Sequence, residues 1–482
     1  MDPADFIALL PLLVTAVSSL IVLLIAAFRR DHVSVAGVTS LGLIGALMTL
    51  PVASRVAPRQ VTLLLMVDAY AIFYIGLLLA ASLAITGLSY GYLKKREGRP
   101  EEFYVLLLLS TLGGITLAAA THFASFFLGL ELLSVSLYVL IAYVRTGQHP
   151  LEAGLKYLIL SGTSSAFLLF GMALLYFQFG TMGFADMASA LDQQAEMPAQ
   201  FFVGLALILT GVGFKLAVAP FHMWAPDVYQ GAPAPVAAFV ATVSKGAMFA
   251  LLLRYFLEIE AFRSGVLWWT LAGIAALSMF VGNLLALLQD NVKRVLAYSS
   301  IAHLGYVLIA FLASGPMVVE AVTVYLVAYF ITTVGAFGVV GVLSTSERDA
   351  DDMEDYRALF WRRPWIAGVF AIMLLSLAGI PLTAGFVGKF YVVAAGAGSA
   401  LWLLLVLLAI NSVIGLFYYL RILVVMSAER SSGAQQVEVR AMPASFADGL
   451  VLAMLSGLLF WLGLYPAPLI RLVQIIEKSL AG

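Results

Sequence analysis

Apolar runs of about 20 residues, separated by short polar turns, follow one another from Phe6 almost to the end of the chain. Each is long enough to cross a bilayer as a helix. Fourteen can be counted, at 5–28, 33–53, 67–92, 103–120, 123–144, 153–178, 199–221, 234–256, 265–288, 295–313, 316–343, 364–396, 399–425 and 446–470. Only Thr121 and His122 separate the fourth from the fifth. The seventh and twelfth hold Pro220 and Pro381 among glycines, so both are expected to be broken helices. The pattern therefore predicts an all-α polytopic membrane protein of about fourteen transmembrane helices, two of them broken. The first run, about 23 residues long, reads as a true span and not as a cleavable signal peptide.

The order of elements suggests a repeat. Runs 4–8 and 9–13 form two blocks of five, and in each the fourth member carries the proline. Five is odd, so the second block must have inverted topology, a transporter design. The expected organisation is a three-helix segment at 1–95, five-helix repeats at 100–257 and 264–427, and a last helix at 445–475.

Composition agrees with a membrane protein. Of 482 residues, 62% are hydrophobic and 11% charged, with mean hydropathy +1.02; soluble domains carry about 25% charged residues. The net charge of −1 suggests no nucleic-acid partner. Cysteine is absent, which excludes disulfides and cysteine-ligated iron–sulfur clusters in this chain. The five histidines are scattered and form no metal cage by spacing. Basic residues set the orientation. Alternate loops from Arg29–Arg30 to Arg430 and Arg440 hold 17 of them, and the opposite loops with the C-terminus hold six, Arg254 and Arg263 among them. This bias places the first set in the cytoplasm and both termini outside it. Two polar stretches on that side, Ser344–Pro364 and Ala428–Ser445, read as solvated loops or as a docking surface.

Four charges lie deep inside the apolar runs, away from their ends: Glu131, Lys215, Lys245 and Lys389. A charge at the bilayer centre costs roughly 2.5–3.5 kcal/mol on insertion scales, so a proton or cation path is the first reading. Ser134 follows Glu131 by one helical turn, within reach of it or of a shared water. Lys215 precedes Pro220 by five residues, where a broken helix admits water. Lys245 sits among small residues, and Lys389 follows Gly379, Pro381, Gly385 and Gly388. His222, His303, Tyr298, Ser299, Ser300 and Lys156 are secondary candidates for the path, histidine because it relays protons near neutral pH. For Lys156 the plainer reading is a side chain snorkelling from a helix end, and for Asp227 a residue that caps or orders its turn. There is no phosphate-binding glycine loop and no dinucleotide fingerprint, so the energy source is expected in a partner's redox chemistry or in an ion gradient.

The segments LGLELLSVSLYVL, FKLAVAPFHMWAPDVYQGAPAPVAAFVATVSK, NVKRVLAYSSIAHLGY and SLAGIPLTAGFVGKF closely resemble the subunit N family of proton-pumping NADH:quinone oxidoreductase, respiratory complex I. The wider family includes sodium/proton antiporter subunits and membrane subunits of related hydrogenases. The resemblance implies fourteen helices, inverted repeats and one proton channel. By motif, Glu131 would be the modulating carboxylate, Lys215 its partner, Lys245 the central relay and Lys389 the outlet. It further implies no cofactor in this chain, with NADH, FMN, iron–sulfur clusters and quinone in partner subunits of the membrane and peripheral arms, and a place in the cell inner membrane. The VDAY segment at 67–70 is less typical of the family. Two other functions fit the residues: a subunit of a multisubunit cation/proton antiporter, and a non-transporting assembly scaffold.

Overall fold

The computed structural model describes residues 2–96, 98–144, 148–193, 198–259, 265–315, 317–429 and 445–481. Among the described residues, thirteen helices are long and apolar enough to cross a membrane. A fourteenth crossing is made of two shorter apolar helices, Pro364–Ala378 and Ala384–Gly398. This is the break expected at Pro381. The other expected break also forms: the Ala199–Leu216 helix ends at Ala217 in the left-handed conformation, and the chain turns before the short Trp224–Gly231 helix.

Burial sorts the spans by depth. Ala234–Glu258 and Val292–Leu312 are wholly buried and Met317–Leu343 nearly so, whereas His32–Ala53 and Phe446–Leu464 expose most of their length. Helices apolar on every face belong at the centre of such a bundle. These three central helices carry Lys245, Ser300, His303, Tyr325 and Tyr329, so the polar side chains run along the bundle's core.

Some elements differ from the expectation. The last apolar run stops at Leu464, because Pro466 cannot continue the helix. Beyond it, Ala467–Ala481 forms a second, amphipathic helix that buries Val473 and Ile476 and leaves Leu472 and Ile475 exposed. The sixth span starts earlier than expected, at Gln148, because Pro150 is tolerated in a helix's first turn. A small hairpin, Arg59–Val61 with Leu65–Val67, and a helix at Phe184–Asp192 fill loops that showed no pattern. The Ser344–Pro364 stretch is partly ordered, with a 3-10 turn at Met353–Tyr356 and a helical turn at Leu359–Arg362. Most of the Ala428–Ser445 stretch, with Arg430 and Arg440, lies outside the described residues, as do Arg145 and Arg263.

Two basic residues assigned to loops are not there. Arg254 is buried inside its helix and makes a bidentate pair with Asp68, both bonds 2.8 Å. Lys293, also buried, bonds Asp349 at 2.6 Å and the Ala232 carbonyl at 2.7 Å. Asp68 also caps the Ala69–Lys94 helix by accepting from the Ala71 N–H, which gives the atypical VDAY segment a structural role.

Candidate functional site: a chain of buried cations and hydroxyls

Glu131 sits mid-way along Phe123–Ile141 and is only partly buried, on a face where Leu128 and Val135 are exposed. Its Oε1 accepts a 2.5 Å bond from Ser165 of the next helix. Ser134 does not serve Glu131 as expected. Its hydroxyl donates to the Leu130 carbonyl at 2.6 Å and accepts from Lys215 Nζ at 2.8 Å. Lys215 also donates to the Tyr157 hydroxyl at 2.8 Å. Among the described residues no ion pair joins Glu131 to Lys215. The carboxylate and the lysine's serine partner stand one turn apart on one helix, about 5–6 Å between Cβ atoms.

The broken helix makes room for this lysine. Ending the helix at Ala217 leaves the Phe214 carbonyl only a tight bond from the Ala217 N–H, and the Trp224 indole N–H joins it at 2.9 Å. The Ala219 N–H goes to Ser278 Oγ at 2.9 Å. Trp224, Phe214 and Tyr157 pack ring on ring beside the Lys215 ammonium.

Lys245 follows a five-residue π-helical turn, Val240–Ser244. Such turns widen the helix locally and recur at functional sites. The Lys245 ammonium donates to Ser300 Oγ at 2.6 Å, and Tyr329 donates to the same oxygen at 2.8 Å. One turn on from Ser300, His303 meets the Tyr325 hydroxyl through Nδ1 at 2.7 Å and the Tyr419 hydroxyl through Nε2 at 3.2 Å. Ser299 is hydrogen-bonded to Tyr419. Between these groups and the second break lies a cavity of about 10 Å³, lined by His303, Tyr325, Tyr329, Thr332, Ser376 and Gly385. That is close to the volume of one water, and the lining offers it polar partners. Across the break, Lys389 Nζ donates to the freed carbonyl of Ala378 at 2.8 Å, with Ser412 Oγ at 3.4 Å and the Tyr306 ring 5.3 Å away.

Lys156 is anchored and does not snorkel freely. It bonds Asp227 and Glu152, both at 2.7 Å, and Asp227 also accepts from Arg294 at 2.7 Å. Burial pushes the Asp227 carboxyl up, but the bonds from Lys156 and Arg294 outweigh it and hold its pKa below the ordinary value. With His149, Gln230 and Gly231 these residues line a cavity of about 200 Å³.

The fold thus gathers Glu131, Ser134 and Lys215 in one cluster, and Lys245, Ser300 and His303 in a second that reaches the break beside Lys389. It does not bring in His222 or Tyr298. His222 lies in the Pro220 turn with a buried Nδ1 that has no hydrogen-bond partner among the described residues. The Tyr298 hydroxyl makes no hydrogen bond to them either. Several members escaped the sequence reading: Tyr157, Ser165, Tyr229, Tyr325, Tyr329, Ser376 and Tyr419. Tyr325 and Tyr329 carried a usable signal, two hydroxyls four residues apart on one face of an apolar run. The Tyr229 ring lies 5.5 Å from Lys245 Nζ, and its buried hydroxyl has no partner among the described residues. The one described group of three acidic side chains close enough to share a metal ion is Asp351, Asp352 and Asp355. Arg348 already bonds Asp355 there at 2.6 Å.

A family model described as the transmembrane region of NADH:quinone oxidoreductase and Mrp antiporters matches residues 120–415. NADH-quinone oxidoreductase subunit N of Nitrosospira multiformis is 52% identical over 98% of this chain and 96% of the relative. The subunit N of Ectopseudomonas mendocina is 50% identical over 97% and 96%. The chain belongs to the subunit N family. A chain of the respiratory complex I from Thermus thermophilus solved with bound aureothin agrees in structure. It superposes with a TM-score of 0.80 at 34% identity, covering 96% of this chain and 98% of that one. Membership makes this a membrane subunit of an oxidoreductase complex within the antiporter-like family.

Proposed function

We propose that this chain moves protons across the membrane for an NADH-quinone oxidoreductase, through the Glu131–Lys215–Lys245–Lys389 series. One observation carries the reading: the buried ammonium groups of Lys215 and Lys245 and the partly buried one of Lys389 lie in apolar helices, each bonded to neutral hydroxyls or carbonyls and, among the described residues, none to a carboxylate. No anion bonds a lysine so placed among the described residues, so a shift in nearby charge can move its proton.

In this reading, protons arrive at the Lys156–Asp227–Arg294 mouth. A change at Glu131 alters the field on Lys215 through the Ser134 turn. Lys215 gives its proton toward Lys245 past Tyr157 and Tyr229, with water completing the gap at the Tyr229 hydroxyl. Ser300, Tyr329 and His303 carry it to the small cavity, and Lys389 releases it beyond the second break. The chain itself holds no redox centre. NADH, FMN, iron–sulfur clusters and quinone belong to partner subunits, and their redox step drives Glu131. The two five-helix blocks are the inverted units of this channel. The assembly sits in the cell inner membrane with the basic loops in the cytoplasm.

NADH-driven proton uptake by inverted membrane vesicles tests the reading in Glu131→Ala and Lys215→Ala variants. Uptake should fall about tenfold, near 1.4 kcal/mol of barrier, with complex yield unchanged. Normal uptake in both variants would favour the scaffold reading. Uptake that needs a sodium gradient and not NADH would favour an antiporter.

A further inference from the structure

At the end of the bundle that carries the basic loops, the helices Glu101–Ala119, Phe123–Ile141 and Gln148–Phe179 border a cavity of about 990 Å³. Its walls are Leu106, Val139, Leu151, Leu155 and Leu158. Four of these five keep between 45% and 57% of their surface exposed, so the hollow is greasy and open. From Leu151 to Leu158 it runs about 10 Å along the helix, a depth that lies within one leaflet's hydrocarbon.

The rim has a different chemistry. Arg96, Arg99 and Glu102 line it. The Arg96 side chain is 8% exposed, and one terminal nitrogen is committed to Asp349 at 2.5 Å. Its Nε is buried and has no hydrogen-bond partner among the described residues, and Glu102 Oε2 is in the same condition. The other Glu102 oxygen lies 3.5 Å from Arg30. The Arg99 guanidinium makes no ion pair with the described residues, while its backbone carbonyl accepts from the Tyr143 hydroxyl. A buried donor on a cation and a buried acceptor on a carboxylate, both unmet among the described residues, are costly unless a further group meets them. Both border one apolar hollow.

We propose that this cavity is a phospholipid site selective for a head group with a primary ammonium, as in phosphatidylethanolamine. Its phosphate sits against Arg96 and Arg99, its ammonium donates to Glu102, and its upper acyl chains cover the leucine walls. Both signs of charge on the rim set the selectivity. A choline head group has no N–H to donate to Glu102. A glycerol head group answers the arginines and can offer a hydroxyl, but it brings no positive charge to the Glu102 oxygen that Arg30 leaves free. The site is separate from the lysine series and does not depend on it.

The test uses the intact complex transferred into nanodiscs of phosphatidylethanolamine, phosphatidylcholine or phosphatidylglycerol. Density in the cavity is viewed by electron cryomicroscopy and bound lipid is counted by native mass spectrometry. We expect a two-chain density with its head group between Arg99 and Glu102 in the first lipid, and severalfold lower occupancy in the other two. Glu102→Gln should abolish the preference for ethanolamine over choline while keeping a lipid bound. Leu155→Trp, which fills the hollow, should lose the lipid with the rim unchanged. Equal occupancy by all three lipids in the unmodified complex would overturn the proposal without recourse to any variant. So would a helix of a neighbouring subunit seated in the cavity.

Discussion

Tyr229 separates a structural from a functional reading at the scale of one residue. Its buried hydroxyl makes no well-formed hydrogen bond to the described residues, so removing it should leave the fold about as stable as before. If water at that hydroxyl links Lys215 to Lys245, its loss should still slow proton transfer. Tyr229→Phe is therefore expected to keep complex yield and melting temperature within about 0.5 kcal/mol of the parent, yet to lower NADH-driven proton uptake severalfold. Unchanged uptake would remove Tyr229 from the path. The four intramembrane charges were legible in the sequence because each stands far from the ends of its apolar run. Their partners were not, because they arrive from other helices: Ser165 is 34 residues from Glu131, and Tyr157 is 58 from Lys215. Hydroxyls are common enough in spans that only the packing of helices selects the ones that matter.

The breaks are what turn helices into a route at the scale of an element. Each ends a helix on a left-handed residue, Ala217 at φ 59° or Gly379 at φ 84°, and each opens a carbonyl at the helix end to a side-chain donor. Trp224 does so at the first and the Lys389 ammonium at the second. Pro220 and Pro381 announced both breaks, since proline cannot continue a helical ladder. The π-helical turn before Lys245 had no such marker: PVAAFVATVSK reads as ordinary helix, and the widened turn depends on packing. The amphipathic Ala467–Ala481 helix was hidden by an apolar run that continues past Pro466. Gly379 offers a test of the second break. A Cβ there would stand 2.7 Å from Lys389 Cδ, and the positive φ adds about 1–2 kcal/mol of strain. Gly379→Ala should shift the Lys389 ammonium off the Ala378 carbonyl and reduce proton uptake severalfold, while Glu131-side substitutions behave as in the parent. Full uptake would mean that the position of this ammonium at the break does not matter.

The Ala69–Lys94 helix is pinned at both ends at the scale of the whole molecule, and through those pins it ties together helices far apart in the chain. Asp68, just before it, holds the buried Arg254 of the Lys245–Glu258 helix. Tyr92 and Arg96, at its other end, hold Asp349 at 2.7 and 2.5 Å, and Asp349 also takes the buried Lys293 of the Val292–Leu312 helix. Sequence reading placed Arg254 and Lys293 in loops, because a basic residue near a span end looks like an orientation signal; only the buried carboxylates opposite them show the clamp. Burial alone would raise the Asp349 pKa, but the Lys293 and Arg96 charges outweigh it and hold the carboxyl below its ordinary 3.8. A group whose folded pKa is depressed contributes stability that is complete above the unfolded value and is lost as pH falls through the folded one. Asp349→Asn leaves two buried cations without their anion and should cost about 3–5 kcal/mol. Thermal unfolding of the detergent-solubilised complex should therefore show a gap between parent and variant that is flat from pH 8 to about pH 5 and narrows only as pH drops below 3.8. A gap that closed between pH 8 and pH 6 would mean that the lysine and not the carboxylate titrates there, and the clamp would then have to be reassigned.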